Sequence, residues 1–448
     1  MTFPTGATAA AFLVFGLAIT VRAQAPGQTP AQAPVQMSTQ ATALPADDDF
    51  DALRGAAAAG DAQAQFALGN DYIDGRGVAQ DYGQALTWYR KSADQGYAPA
   101  LNQLGYMHQN KFGLPRDYKR AVYYYRLAAN KGYARAEYNL GAMYQSGLGT
   151  KLDLKQAFAW FRKAADQNLA DAENEVGYAY RCGCGVKLDY AQALYWYRRA
   201  ASHGNSNAET NLGFMAEKGW GEPQSYEEAF SWYYKAAEDG NAEAMEDLGY
   251  NYLNGVGVEV DVAKAWSWIY QAALLGSSNA ENELGWMYQN GQGVEENNAL
   301  AIAWYRLSRD QGNTVGQNNL VNFCFDLEQS GNMQCKSDAP VNDPAIEMVQ
   351  RRTRIRDLRA QISGLETDAL QDDLNANGLA NMGKNGKPMK KNNVITRGIT
   401  KTMDAVGTAA GAPARLQAPI LRADAARLRE ELAQLESLDQ SSTNAAAP

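Results

Sequence analysis

The sequence predicts an all-α fold: an α-solenoid of about seven 36-residue helix–turn–helix repeats, followed by a C-terminal helical extension. Three observations predict it. Leu-Gly or Val-Gly recurs at 68–69, 104–105, 140–141, 176–177, 212–213, 248–249 and 284–285, every step being 36 residues. Gly77, Gly113, Gly149, Gly185, Gly221, Gly257 and Gly293 recur at the same step, as do Ala85, Ala121, Ala157, Ala193, Ala229, Ala265 and Ala301. A further register carries Trp88, Tyr124, Trp160, Trp196, Trp232, Trp268 and Trp304. Registers in phase over seven copies mark stacked supersecondary units, because one hairpin cannot cover its own apolar face.

Residues 1–25 read as an export signal. Ala7 to Val21 is an uncharged apolar run, too short for a typical membrane span but suited to a signal-peptide core, with small residues following at Ala23 and Ala25. No Lys or Arg precedes it, so an uncleaved membrane anchor is the alternative. Residues 26–50, rich in Pro, Gln and Ala, read as a flexible linker that buries too little surface to offset chain entropy.

The solenoid is expected over 51–325. In the first half of a copy, Ala136, Leu140, Met143 and Tyr144 fall at helical spacing. A Gly-x-Gly turn follows, where glycine accepts positive φ at little cost. Asp81, Asp117, Asp153, Asp189, Ser225, Asp261 and Asn297 stand four residues after the turn's second glycine and read as N-caps of a second helix. Gly96, Gly132, Asn168, Gly204, Gly240, Gly276 and Gly312 read as its stop signals. An eighth copy starts at Thr314, has Val321 in place of the glycine and lacks the Trp, so it reads as a truncated cap.

The segments Ala136 to Gly149 and Asp189 to Gly204 resemble the Sel-one-like repeat (SLR) family, relatives of the tetratricopeptide repeat with a longer, glycine-marked turn. The resemblance spans about residues 60–325, departing from the pattern at Tyr124, Asn168 and Ser225. It implies a non-catalytic adaptor that binds proteins; bacterial members often work in the cell envelope or at host contact. Some members have been linked to penicillin binding.

Beyond the repeats, 326–343 reads as a capping loop holding Cys335, which could close a disulfide with Cys324 in an oxidising compartment. Cys182 and Cys184 lie within one Gly-x-Gly turn and are either two small turn residues or partners for each other. Residues 344–373 predict an amphipathic helix with a seam at Ile355, Leu358, Ile362 and Leu365. Residues 415–438 predict a second, coiled-coil-like helix with Leu421, Ala425, Leu428, Leu432 and Leu435 in line. Between them, 374–414 reads as a disordered basic linker, with Lys384, Lys387, Lys390, Lys391, Arg397 and Lys401 and no acidic residue from 384 to 401. Residues 439–448 read as a tail.

Chemistry is hard to find in this chain. A net charge of −9 argues against a dedicated nucleic-acid binder, and no nucleic-acid partner is expected. Two histidines, His108 and His203, cannot build a multi-histidine metal site and read as surface residues. No Ser-x-x-Lys, Gly-x-Ser-x-Gly, His-Glu-x-x-His or Walker loop occurs. The expectation is no catalysis, no cofactor and no metal, with a β-lactamase-like hydrolase disfavoured by the missing Ser-x-x-Lys.

Binding is expected on one stripe of the first helices. Its middle position holds Asn70, Tyr106, Ala142, Tyr178, Phe214, Tyr250 and Trp286, five of them aromatic. The flanking position holds Ala67, Gln103, Asn139, Glu175, Asn211, Asp247 and Glu283, nearly all polar. A groove with an aromatic ladder edged by amides and carboxylates suits a protein segment, or alternatively a peptidoglycan or exopolysaccharide strand. Packing of these rings against the next repeat is the competing reading. The chain is thus expected to be a periplasmic or secreted scaffold, the alternative being inner-membrane anchorage facing the periplasm.

Overall fold

The computed structural model describes residues 47–330 and, beyond them, Cys335, helical positions between 347 and 365, and helical positions from 425 to 437. The signal, linker residues 26–46 and basic linker 374–414 lie outside the described residues.

An N-terminal helix, α1 (Asp47–Ala58), precedes the repeats and begins inside the stretch read as linker. The first helices of the seven repeats are α2 (Ala62–Asp74), α4 (Ala98–Asn110), α6 (Ala134–Ser146), α8 (Ala170–Cys182), α10 (Ser206–Lys218), α12 (Ala242–Asn254) and α14 (Ser278–Asn290). The second helices are α3 (Tyr82–Asp94), α5 (Tyr118–Ala129), α7 (Leu154–Ala165), α9 (Tyr190–Ser202), α11 (Tyr226–Glu238), α13 (Val262–Leu274) and α15 (Asn298–Asp310). The cap, α16 (Thr314–Gln329), extends past residue 325 into the stretch read as loop. Each helix packs against its neighbours in sequence, so the core is a continuous ribbon between the two layers.

The caps are made as the sequence requires. Side chains of Asp81, Asp117, Asp153, Asp189, Ser225, Asp261 and Asn297 each accept from the backbone N–H three residues on, at 2.9–3.1 Å. Asn168 takes the left-handed conformation of the glycines it replaces, with φ 64°. At the Gly-x-Gly turn the second glycine meets the preceding repeat: a Cβ on Gly149 would fall 2.2 Å from the Tyr118 carbonyl oxygen. The turn of one copy therefore seats on the start of the previous copy's second helix.

Within a repeat the close approach is between the Leu-Gly glycine and the residue twenty positions later. A Cβ on Gly105, Gly141 or Gly213 would sit 2.7 Å from the ring of Tyr125, Phe161 or Tyr233. This residue, rather than the Trp before it, is the deepest anchor: Tyr89, Tyr125, Phe161, Tyr197, Tyr233, Ile269 and Tyr305 are all buried. Of the Trp register only Trp196 and Trp304 are equally buried.

Helix α1 closes the N-terminal end. Its Ala57 stands 36 residues before Ala93 and both are core, so α1 acts as a degenerate second helix. At the other end α16 buries Leu320, Phe323 and Leu327, and Cys324 is joined to Cys335 with Cα atoms 5.6 Å apart. Cys182 and Cys184 are joined to each other. In the extension Ile355, Leu358, Ile362 and Ala425 are buried. Arg354 donates to Glu431 at 2.8 Å, so the two predicted helices meet within one chain. Arg429 donates to the Gln80 carbonyl at 3.0 Å, bringing the last helix to the first repeat's turn.

Candidate interaction groove

The two layers differ in spacing. Between neighbouring first helices, short amides suffice to bridge: Asn139 donates to Asn102 at 2.9 Å, Asn211 to Asn174 at 3.0 Å and Asn319 to Asn282 at 2.9 Å. Between second helices the contacts use long side chains, as where Tyr234 meets Trp268, Tyr270 meets Trp304, and Arg162 covers Trp196. The first helices are therefore the inner layer of a curved stack.

On that inner layer the predicted aromatic position is graded from buried to open. Asn70 is buried and accepts from the Tyr89 hydroxyl at 2.7 Å. Tyr106 is half-buried and stacks on Phe112. Tyr178 and Phe214 are half-buried, and the Arg181 guanidinium lies over both rings at 5.1 and 5.3 Å. Tyr250 is 51% exposed. Trp286 packs between the last repeats and the cap while remaining partly accessible.

The flanking polar position lies deeper, largely inside the joints between copies. Asn139 is buried and Asn211 half-buried, each bonded across a joint as above. Gln103 accepts from Asn102 at 3.4 Å. Glu175 accepts from Gln145 at 3.3 Å, and burial pushes its carboxyl up to about 7. Burial also raises Glu283, with the charge of Glu246 adding to it. Asp247 remains half-buried on α12.

Two polar systems were not read from the sequence. One is a row of buried first-helix residues tied to the end of the same copy's second helix: Gln167 donates to Glu137 at 2.7 Å and Gln311 to Glu281 at 2.8 Å. Glu173, fully buried, is met by Arg199 at 2.7 Å and His203 at 2.8 Å. The thirty-residue offset was the available signal, and where Met245 replaces the acid, Leu275 replaces its partner. The second system caps the anchor hydroxyls: Tyr125 donates to Gln109, Tyr305 to Gln289 and Tyr233 to Glu217. Position 253 is Leu where the anchor is Ile269.

His108 corrects the surface reading. It is 3% exposed and stacked on Tyr124, and burial lowers its pKa to about 4. His203, paired with Glu173 through one ring nitrogen, lies at the surface. Among the described residues no cluster of three or more His, Cys, Asp or Glu is arranged to hold a metal.

Seven consecutive segments, 62–97, 98–133, 134–169, 170–205, 206–241, 242–277 and 278–313, match the Sel1 repeat. The chain belongs to the Sel1 repeat family. Sel1 repeats generally mediate protein–protein interaction, and the fold is typically a non-catalytic scaffold. Among solved structures, the chain is 32% identical to c5321, a protective antigen of uropathogenic Escherichia coli with an SLR fold, covering 72% of this chain and 70% of that one at a TM-score of 0.52. It is likewise 32% identical to a Sel1 repeat protein from Oxalobacter formigenes, covering 62% of this chain and 80% of that one at a TM-score of 0.51. No curated protein matches the chain. The Sel1 boundaries fall between α1 and α2 and between α15 and α16, so both end helices stand outside the matched repeats.

Proposed function

We propose that this chain is a non-catalytic adaptor of the bacterial cell envelope or secreted space that binds protein partners along the inner layer of first helices. The observation that carries the reading is the aromatic row on that layer, which opens toward α12, where Tyr250 stands half in solvent. An exposed ring backed by a rigid helix provides contact area at low entropic cost, the property that enriches Tyr and Trp in interfaces. The apolar run from Ala7 to Val21 supports export, and the likeness to a protective antigen agrees with a place at or beyond the envelope.

Affinity purification from the native envelope fraction tests the proposal, with wild type beside Tyr178→Ala and Tyr250→Ala. A protein partner retained by wild type and lost from still-helical variants is the expected result. Recovery of a cell-wall or exopolysaccharide strand in place of protein would replace the adaptor reading with a glycan-binding one. Equal retention by wild type and variants would remove the inner layer as the site.

A further inference from the structure

The two layers carry opposite charge. The first helices together with α16 contain fifteen Asp and Glu against three Lys and Arg, namely Arg135, Arg181 and Lys218. The second helices contain fourteen Lys and Arg against five Asp and Glu. The chain's overall charge of −9 therefore conceals an inner layer far more acidic than the whole and an outer layer that is basic.

The acidity coincides with the open end of the aromatic row. On α12, Glu243, Glu246 and Asp247 precede Tyr250 by seven, four and three residues, which places them along its helical face. Glu283 precedes Trp286 by three on α14. The joint between these helices carries two acids: the positions 37 apart that hold bonded amides at Asn102 and Asn139, Asn174 and Asn211, or Asn282 and Asn319 hold Glu246 and Glu283 here, while the adjoining joint holds Thr210 and Asp247. Two carboxylates replace a neutral pair, although Glu246 is also met by Ser277.

The row already shows what such rings accept. Arg181 lies over Tyr178 and Phe214, and Lys218 over Phe214. Neither α12 nor α14 contributes any Lys or Arg. A cation brought to Tyr250 or Trp286 would gain from the ring face and from the carboxylates beside it.

We infer that the inner face of α12 and α14 is a docking surface for an extended, Lys/Arg-rich protein segment, its cations set against Glu243, Glu246, Asp247 and Glu283 and over Tyr250 and Trp286. This rests on the adaptor reading and names the chemistry of its partner. Attraction of this kind steers encounter and weakens with salt, since the screening length shortens to about 10 Å at 0.1 M.

The test uses the full mature chain and two fluorescent twelve-residue peptides, one of repeated Lys-Gly-Ser and one of repeated Glu-Gly-Ser, titrated at low and high salt. The amide variant Glu243→Gln, Glu246→Gln, Asp247→Asn keeps side-chain shape. Its control, Glu227→Gln, Glu228→Gln, Glu238→Gln, removes the same charge from the outer helix α11. The inference expects salt-sensitive binding of the lysine peptide alone, weakened about tenfold by the α12 variant and less than about twofold by the control. No binding, or equal losses in both variants, overturns it. A native partner whose capture needs Tyr250 but ignores salt and the α12 carboxylates would leave the adaptor reading standing and sink this inference alone.

Discussion

The ring of Tyr125 lies flat in the space a side chain at Gly105 would occupy: a Cβ there would fall 2.7 Å from Cδ1 and Cε1. The ring is fully buried, so it cannot swing into solvent, and the Ala121 carbonyl 3.2 Å away blocks retreat toward the backbone. Gly105→Ala is therefore expected to cost about 1–3 kcal/mol, the usual range for overpacking. Urea unfolding monitored by circular dichroism measures it. A neutral substitution would show that the two helices can slide apart, contradicting the close approach on which every copy depends.

The N-caps supply a second expectation. Asp153 accepts from the Gln156 N–H at 3.0 Å in an exposed position, so removing it leaves a donor to water rather than opening a cavity. Asp153→Ala should cost about 1 kcal/mol, and Asp153→Ser should recover most of it, since Ser225 fills the same position two copies later. Comparing unfolding midpoints of the two variants checks this; equal losses would deny the cap its part.

The anchor hydroxyls make a coupled prediction. Tyr125 donates to Gln109 at 2.7 Å in a site where burial holds the phenol far above its usual pKa. Tyr125→Phe should cost about 1 kcal/mol by leaving the amide short of a partner. Adding Gln109→Leu, the pairing seen at Leu253 and Ile269, should return part of that loss. A double-mutant cycle with no coupling would contradict the hydrogen bond.

The pH dependence follows from two buried groups of opposite sign. Burial raises Glu175 to about 7, so its folded form holds a proton that the unfolded chain, near 4.5, releases earlier. Its contribution is thus present at low pH and lost as pH rises from about 4.5 through 7. Burial lowers His108 to about 4, so the folded state resists a proton that the unfolded chain takes up near 6.5. Stability from His108 is present above 6.5 and lost as pH falls toward 4. Tm measured against pH should decline less above pH 4.5 in Glu175→Gln than in wild type. An unchanged slope would contradict the burial assigned to that carboxyl.

Much of this architecture was legible because its determinants repeat. Caps, stop residues and close-approach glycines recur every 36 residues, and each copy repeats the evidence of the last. What escaped the sequence lacks that redundancy. Helix α1 has Asp49 and Ala52 where second helices have the alanine and the Trp, so only its stop glycine, Gly60, 36 residues before Gly96, stood in register, and the structure was needed to show Ala57 in the core. The Trp and the residue after it are both large, and only the contact with the Leu-Gly glycine shows which is the deeper anchor. His108 read as a surface residue because a lone histidine at a helix end carries no periodic signal; Tyr124 covers it from the next helix. The polar position at Asn139 and Asn211 is periodic, but periodicity alone does not reveal that neighbouring first helices approach closely enough to bond across it.

Partner binding along the inner layer can be read by site-specific photo-crosslinking in the native host. A photoreactive residue placed at Tyr250 probes the inner layer, and one placed at Tyr195, 55% exposed on the outer helix α9, probes the other side. A discrete crosslinked protein is expected from position 250 and none from position 195. A discrete product from 195 with nothing from 250 would contradict inner-layer binding.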